Sequence, residues 1–369
     1  MALFTDTAPD SPRRPRRNRA GWIILTVAII GVAVVAFVPV PYVVEQPGPV
    51  FNTLSDVEVD GKQVPLIEIP GEKTYPTDGT LDMLTVSVAG NREYPPSWLA
   101  VASAWFDPSK AVLPIDEIYP VGTTVEDSNK QSAVDMTNSQ QEAIAAALSD
   151  LDYPFTTTLT VSTTAKGSPA AGVFKEGDVV VSVNGKKFQF LEQLQAAVRA
   201  NGAGKAATVV VKRAGKEITE KLTPVETTGA TPVPIIGIGV GVKYDFPIDV
   251  KIQLQNVGGP SAGMMFALGI IDKLTTGELN GGKNVAGTGT ISGQGTVGPI
   301  GGIRQKMYGA VRAGASYFLA PSENCNEVVG HVPDGLTVYS VSTLDDSLAA
   351  LKAISTGKGA SALATCSAS

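Results

Sequence analysis

The sequence predicts an α+β chain in three parts: an N-terminal transmembrane helix, a small β-rich domain, and an α/β domain that the β-rich domain either interrupts or precedes. Three observations predict it. Residues 20–44 carry no charged side chain and residues 23–38 are almost continuously aliphatic, a length and composition that crosses a hydrocarbon core as a helix. Residues 155–225 read as short alternating strands separated by Gly-Asp and Asn-Gly turns. Beyond them, strand-like and helix-like segments alternate, the pattern of a layered α/β fold.

In chain order, residues 1–19 form a basic tail in which Arg13, Arg14, Arg16, Arg17 and Arg19 are crowded. Such a cluster stays in the cytoplasm, so the 20–44 span sends the rest of the chain to the outer side of the cell membrane, with Trp22 and Tyr42 near the two interfaces. A cleaved signal peptide is the competing reading. The apolar run exceeds a typical signal core and no Ala-x-Ala site follows, so an uncleaved single-pass anchor is expected. The net charge of the whole chain is -6, and the portion after the arginines is more acidic still, which argues against a nucleic-acid partner.

Residues 45–150 supply a strand at Leu81-Asp82-Met83-Leu84-Thr85-Val86-Ser87-Val88 after the Thr77-Asp78-Gly79 turn, then a helix over 138–148 with Asn138 as its N-cap. Residues 151–228 are the β-rich domain. Thr157 to Thr163 alternates as a strand, Gly167-Ser168-Pro169-Ala170-Ala171-Gly172 turns, and Gly177-Asp178-Val179-Val180-Val181-Ser182-Val183-Asn184-Gly185 is a strand ending in a hairpin turn. A helix over 191–200 and strands over 207–212 and 217–222 complete it, and residues 223–234 read as a linker. The α/β domain occupies 229–355 and ends in a helix over 344–354 capped by Ser342 or Thr343. Residues 356–369 are a Gly/Ala/Ser-rich tail expected to be disordered apart from any bond through Cys366.

Within the α/β domain, Gly258-Gly259-Pro260-Ser261-Ala262-Gly263 places a hydroxyl between glycines before the apolar run Met264-Met265-Phe266-Ala267-Leu268. The glycines admit a substrate backbone, Pro260 suits a first helical turn, and free amides at a helix start stabilise a developing oxyanion. Gly259, Pro260, Ala262 and Gly263 are therefore the expected oxyanion and substrate loop around Ser261. A serine nucleophile needs a base. His331 is the only histidine, and it sits beside Val332-Pro333-Asp334 in an expected surface loop.

Further on, Pro299-Ile300-Gly301-Gly302-Ile303-Arg304-Gln305-Lys306 enters a second helix ending near Gly314. Ile303, Met307, Ala310 and Gly314 follow the spacing of a core-facing stripe that includes Lys306, whereas Arg304, Gln305, Tyr308 and Arg312 take the other face. A lysine turned toward a core loses hydration and its pKa falls toward the range of a base. An N-cap serine and a snorkelling lysine are the structural alternatives.

The two segments jointly resemble the proteolytic domain of the Lon family, through the Gly-Pro-Ser-Ala-Gly run, the Pro-Ile-Gly-Gly-Ile run closed by Lys306, Gly287-Thr288-Gly289, and Tyr317-Phe318-Leu319-Ala320-Pro321 followed by Glu323-Asn324. Gly258 and Thr290 stand where many Lon enzymes carry acidic residues. The resemblance implies a Ser261–Lys306 dyad with Thr288 beside the lysine. It also implies a split domain, since a strand and helix like those of 45–150 precede the catalytic part of Lon domains.

The β-rich domain resembles a PDZ domain of the kind attached to bacterial proteases, through its Ser-Pro-Ala-Ala-Gly and Gly-Asp-Val-Val-Val-Ser-Val-Asn-Gly runs. That implies capture of an extended peptide as an added strand. No Gly-apolar-Gly-apolar loop precedes its first strand, where Tyr153-Pro154-Phe155 stands, so recognition of a C-terminus and of an internal strand both stay open.

Together the chain is similar to the membrane-anchored PDZ and Lon-type proteases of bacteria, the YlbL-like proteins. The implied activity is a membrane-anchored, ATP-independent serine endopeptidase, its substrates unfolded or extended polypeptides recruited by the PDZ domain outside the cytoplasmic membrane. No G-x-x-x-x-G-K-[ST] run is present, and Gly293-Gln294-Gly295-Thr296-Val297-Gly298 reads as a tight turn rather than a nucleotide loop. The contrasting function is a non-catalytic peptide-binding scaffold or adaptor of the cell envelope. No cofactor or metal is expected, and a homo-oligomer is open because Lon domains can form rings. Only Cys325 and Cys366 occur. An oxidising outer compartment permits their disulfide, against which two free thiols are the alternative.

Overall fold

The computed structural model describes residues 19–228 and 232–367, so the arginines before Arg19 lie outside the described residues. The chain divides into two compact units. One comprises residues up to Val44 together with Ala89–Val121, and the other Glu45–Val88 together with Gly122–Ser369.

In the first unit, helix α1 (Arg19–Ala36) is apolar along its length. It stops at Ala36, well short of residue 44, because Pro39 and Pro41 cannot continue a helix and disfavour helical geometry in the residues before them. Residues 42–44 are instead extended and open the first strand. Among the described residues no helix is long and apolar enough to cross a membrane. A short helix, Trp98–Trp105, is capped by Ser97, whose side chain accepts from the Ala100 amide. It buries Val101 and Ala104 against Val40 and Val44. The expectation that 45–150 belongs wholly to the α/β domain is thus corrected, since 89–121 packs with the N-terminal segment around this small core.

The second unit holds both predicted domains. Its main sheet uses β1 (Tyr42–Asn52), β2 (Thr80–Ala89), and later β8 (Asn284–Gly287), β9 (Tyr317–Pro321) and β10 (Thr337–Val341), in the order β10-β9-β8-β2-β1. The β2-β8-β9-β10 run is parallel, with Val285 opposite both Leu81 and Tyr317. Side chains alternate across it as the pleat requires. Leu81, Met83, Val285, Leu319 and Val341 enter the main core, whereas Leu84, Ala286, Phe318, Ala320 and Val338 enter a second one.

Helix α2 runs Val125–Asp150, thirteen residues longer at its start than the apolar pattern indicated. Its first three turns are polar and partly exposed, so burial gave no periodic trace, and the cap is Thr124, which accepts from the Asp127 amide. The β-rich domain follows with β3 (Thr156–Thr164), β4 (Val179–Val183), helix α3 (Leu191–Asn201), β5 (Ala207–Arg213), β6 (Lys216–Leu222) and β7 (Ile238–Asp245). Its sheet order is β6-β5-β4-β3-β7. The domain therefore does not end at 228: β7 pairs antiparallel with β3 over its whole length and closes the sheet as an edge strand.

Helix α4 (Gly263–Leu274) is buried on every side in the main core with α2 and with α6 (Leu344–Thr356), whose cap is Thr343 in a reciprocal bond with Asp346. Helix α5 (Ile303–Arg312) belongs to the second core, on the other face of the sheet, through Ile303, Met307 and Ala310. Ahead of the serine turn, Lys251–Ile252 forms a short strand paired with Glu68 and Ile67. The tail is ordered rather than loose. Cys366 forms a disulfide with Cys325, and the Ser340 amide at the β10 edge donates to Ala364 O.

Candidate active site

Helices α4 and α5 flank opposite faces of the sheet, and both reach the C-terminal end of β8, the region where open α/β sheets bind ligands. Thr288, the residue after β8, is fully buried there. Its hydroxyl donates to Ser261 O at 3.0 Å, and the Gly289 amide donates to the same carbonyl at 2.9 Å, which ties the serine turn to the strand end.

Ser261 does not lie in the helix. The helix begins at Gly263, with Ala262 as its N-cap, and Pro260 sits in the preceding turn instead of the first helical turn. Helix α2 braces that turn, for Ser132 O accepts from the Gly259 amide at 2.8 Å and Ser139 Oγ donates to Pro260 O at 2.9 Å. Gly263 is required by close approach. A Cβ there would stand 2.8 Å from Ser139 Oγ and 2.9 Å from Ile291 Cγ2.

The expected oxyanion loop is narrowed accordingly. The amides of Gly259 and Gly263 are engaged, by Ser132 O and Pro260 O, and that of Met264 donates to Gly289 O. Pro260 has no N–H. The amides of Ser261 and Ala262 are the donors near the hydroxyl left without a bonded partner among the described residues.

Lys306 approaches from α5. Its side chain is 1 % exposed, and its Nζ lies 2.8 Å from Ser261 Oγ and 2.9 Å from Thr288 Oγ1. Burial pushes the amine down to about 7, and the nearby Glu45 carboxylate offsets only part of that. With nitrogen neutral, Thr288 takes one N–H and the lone pair faces the serine hydroxyl, so the trio can pass a proton from Oγ to Nζ.

The start of α5 is fixed by two features the sequence did not disclose. Gly302 caps it at φ 69°, where a Cβ would stand 2.7 Å from Val86 Cγ1 and 3.1 Å from the Glu45 carboxyl carbon. Asn324, 3 % exposed, accepts from the Ile300 amide and donates back to Ile300 O. Two expectations about this helix are corrected. Gln305 is buried, not solvent-facing, and Gly314 is exposed at φ 87° beyond the C-cap Ala313, where a left-handed residue ends the helix. His331 is exposed, with Nδ1 3.0 Å from Val329 O. Among the described residues no group of three His, Cys, Asp or Glu side chains is placed to hold a metal ion.

Two concavities accompany the trio. One, of about 170 Å³, adjoins the serine turn and is lined by Asp135, Ser139, Glu142, Pro260, Thr290 and Ile291. The other, of about 330 Å³, is an apolar groove in the β-rich domain between α3 and the 233–240 segment, with Leu194, Val198, Ile236, Ile238 and Val240 on its walls. The segment entering β7 reads Gly237-Ile238-Gly239-Val240. The Gly-apolar-Gly-apolar run that is missing before the first strand thus stands at the start of the last one, beside the groove helix. It closely follows the Pro- and Thr-rich 223–234 stretch, which masks it in the sequence.

The pattern of the Lon protease (S16) C-terminal proteolytic domain matches residues 250–353, and that of the PDZ domain matches residues 122–223. The latter span begins within the approach to α2 and stops before β7, whereas the folded β-rich domain runs from β3 to β7. A Lon protease of Geobacter metallireducens is 37% identical over 109 residues, 29% of this chain and 13% of that one. Lon protease 2 of Herpetosiphon aurantiacus is 40% identical over 108 residues, 27% and 13% of the two chains, and Lon protease 1 of Bacillus subtilis is 37% identical over 109, or 29% and 14%. The chain thus spans about one seventh of the length of these relatives. Among solved structures, the PDZ domain of an SdrC-like protein from Listeria innocua aligns over 22% of this chain and 92% of its own, at 19% identity and a TM-score of 0.21. Fold and site together define a protein carrying a Lon-type serine protease domain. The chain is thus similar to Lon proteases over its C-terminal domain and to PDZ domains over the segment before it.

Proposed function

We propose that the chain is a serine endopeptidase in which Ser261 Oγ attacks the peptide carbonyl, Lys306 accepts the hydroxyl proton, and Thr288 orients the lysine. The observation that carries this reading is the 2.8 Å separation of Nζ and Oγ with the amine buried and its pKa lowered to about 7. The amides of Ser261 and Ala262 face the charge that develops on the carbonyl oxygen. Lys306 then returns the proton to the leaving amine, and the acyl group on Ser261 is released by a water that Lys306 deprotonates in turn.

The groove of the β-rich domain suits an extended peptide added along the edge strand β7, and the Gly237-Ile238-Gly239-Val240 loop at its mouth suits a terminal carboxylate. The substrates are unfolded or extended polypeptides, and because the chain carries no Walker-type loop of its own, cleavage proceeds without ATP. The first unit is read as a membrane anchor holding the protease outside the cytoplasmic membrane. Support comes from Trp22, Ile24 and Ile29 on α1 and from Leu99, Trp105 and Phe106 on the short helix and just beyond it, all exposed.

The test compares the detergent-solubilised full chain with Ser261→Ala, Lys306→Ala and Lys306→Arg on an unfolded protein substrate, with and without ATP. Each variant is expected to lose at least about 10³-fold in rate, the arginine included because a guanidinium stays protonated, and ATP to change nothing. Equal turnover in all four proteins would leave a peptide-docking adaptor and no enzyme.

A further inference from the structure

The walls of the peptide groove meet at Gly293, two residues from the cleft beside the serine turn. Gly293, two positions beyond the Ile291 that lines the cleft beside Pro260, is packed so tightly that a Cβ on it would stand 2.6 Å from Tyr244 Oη and 2.9 Å from Phe190 Cδ1. Phe190 is the N-cap of α3, the helix wall of the groove. Tyr244 lies on β7, the strand wall, where Val240, Val242 and Tyr244 alternate onto one face. Both aromatic rings are buried around Phe155, at 6.2 and 5.9 Å between centroids.

Glu142 of α2 joins this junction to the serine turn. Its carboxylate accepts from Tyr244 Oη at 3.0 Å and from the Gly293 amide. One helical turn back, Ser139 holds Pro260 O, the carbonyl just before Ser261. A shift of either groove wall therefore acts on the Gly293 amide, on the Thr290-Ile291 edge of the cleft, and through α2 on the nucleophile.

We infer that Glu142, Tyr244 and Phe190 form a positioning bridge by which an extended peptide seated in the groove raises the rate at Ser261. The inference rests on the reading of the site as proteolytic and of the groove as a peptide seat. β7 is an edge strand, so an added strand satisfies its open edge and orders it, which holds Tyr244 against Glu142 and Gly293 in the arrangement that shapes the cleft.

The experiment places a peptide in the groove covalently. Val198→Cys supplies the one free thiol, since Cys325 and Cys366 are bonded to each other, and a bromoacetyl-Thr-Val-Thr-Val-Val peptide is coupled to it in the full chain. Cleavage of a short fluorogenic peptide should show kcat raised about fivefold or more, the lower end of typical couplings, with KM within about twofold. In Tyr244→Phe or Glu142→Gln backgrounds the coupled peptide should change kcat less than about twofold, although uncoupled stability is retained. An equal effect in all backgrounds, or none in the unaltered one, overturns the bridge. Hydrogen exchange of the Gly293 amide is read alongside and should slow on coupling; unchanged exchange also overturns it. Slowed exchange without cleavage in any protein would instead overturn the proteolytic reading on which the inference rests.

Discussion

The burial proposed to make Lys306 a base costs stability. A lysine 1 % exposed loses hydration, and its amine falls from 10.5 to about 7. Between pH 7 and 10.5 the unfolded chain binds the proton and the native one does not, so this group makes stability rise with pH across that window and is without slope outside it. Lys306→Met fills the same space without the amine. It should abolish hydrolysis yet raise unfolding stability by about 1–4 kcal/mol at pH 7, a gain that fades toward pH 10.5, as urea titrations at the two pH values would read. Loss of stability at pH 7 would mean the buried amine is better satisfied than its neighbours indicate.

At the scale of elements, the serine turn is held from outside its own helix, by Ser132 and Ser139 of α2 and by the Thr288-Gly289 strand end. That arrangement predicts sensitivity at Gly263, where a Cβ has no room beside Ser139 and Ile291. Gly263→Ala should cost about 1–3 kcal/mol and lower kcat more than it raises KM, since it displaces the nucleophile and not the groove. Calorimetry and steady-state kinetics on the same preparation would check both.

These braces also mark where sequence reasoning stopped. Ser261, Lys306 and Thr288, which the structure brings into contact, stand in short glycine-flanked runs that can be read directly. Ser139 and Glu142 act through partners more than a hundred residues away in the chain, on a helix whose first half has no apolar period. Strand β7 was hidden for a related reason: its flanking Pro and Thr residues imitate a linker, and only pairing with β3 makes it a strand.

Over the whole molecule, the chain of the α/β domain leaves after α2 to build the β-rich domain and returns through β7 to the serine turn. In the sequence, strand and helix patterns stand on both sides of that insert. The separate packing of 89–121 was not legible there, since its small core is made with residues distant in sequence. The Cys325–Cys366 bond closes a loop of 41 residues around β10 and α6, worth about 4 kcal/mol in the chain-entropy account. Denaturation with and without a phosphine reductant should show a lower midpoint on reduction, with the tail after Thr356 becoming protease-sensitive. An unchanged midpoint would mean that the tail is held by its packing alone.

The central claim is that a neutral lysine is the base for Ser261, and the pH dependence of kcat/KM on a short peptide tests it most directly. The account predicts a fall of tenfold per pH unit below about 7, where Lys306 takes up a proton, a plateau above it, and no change in the curve when His331 is replaced by Ala. A profile flat from pH 5 to 9, or one whose midpoint moves with His331, would contradict it.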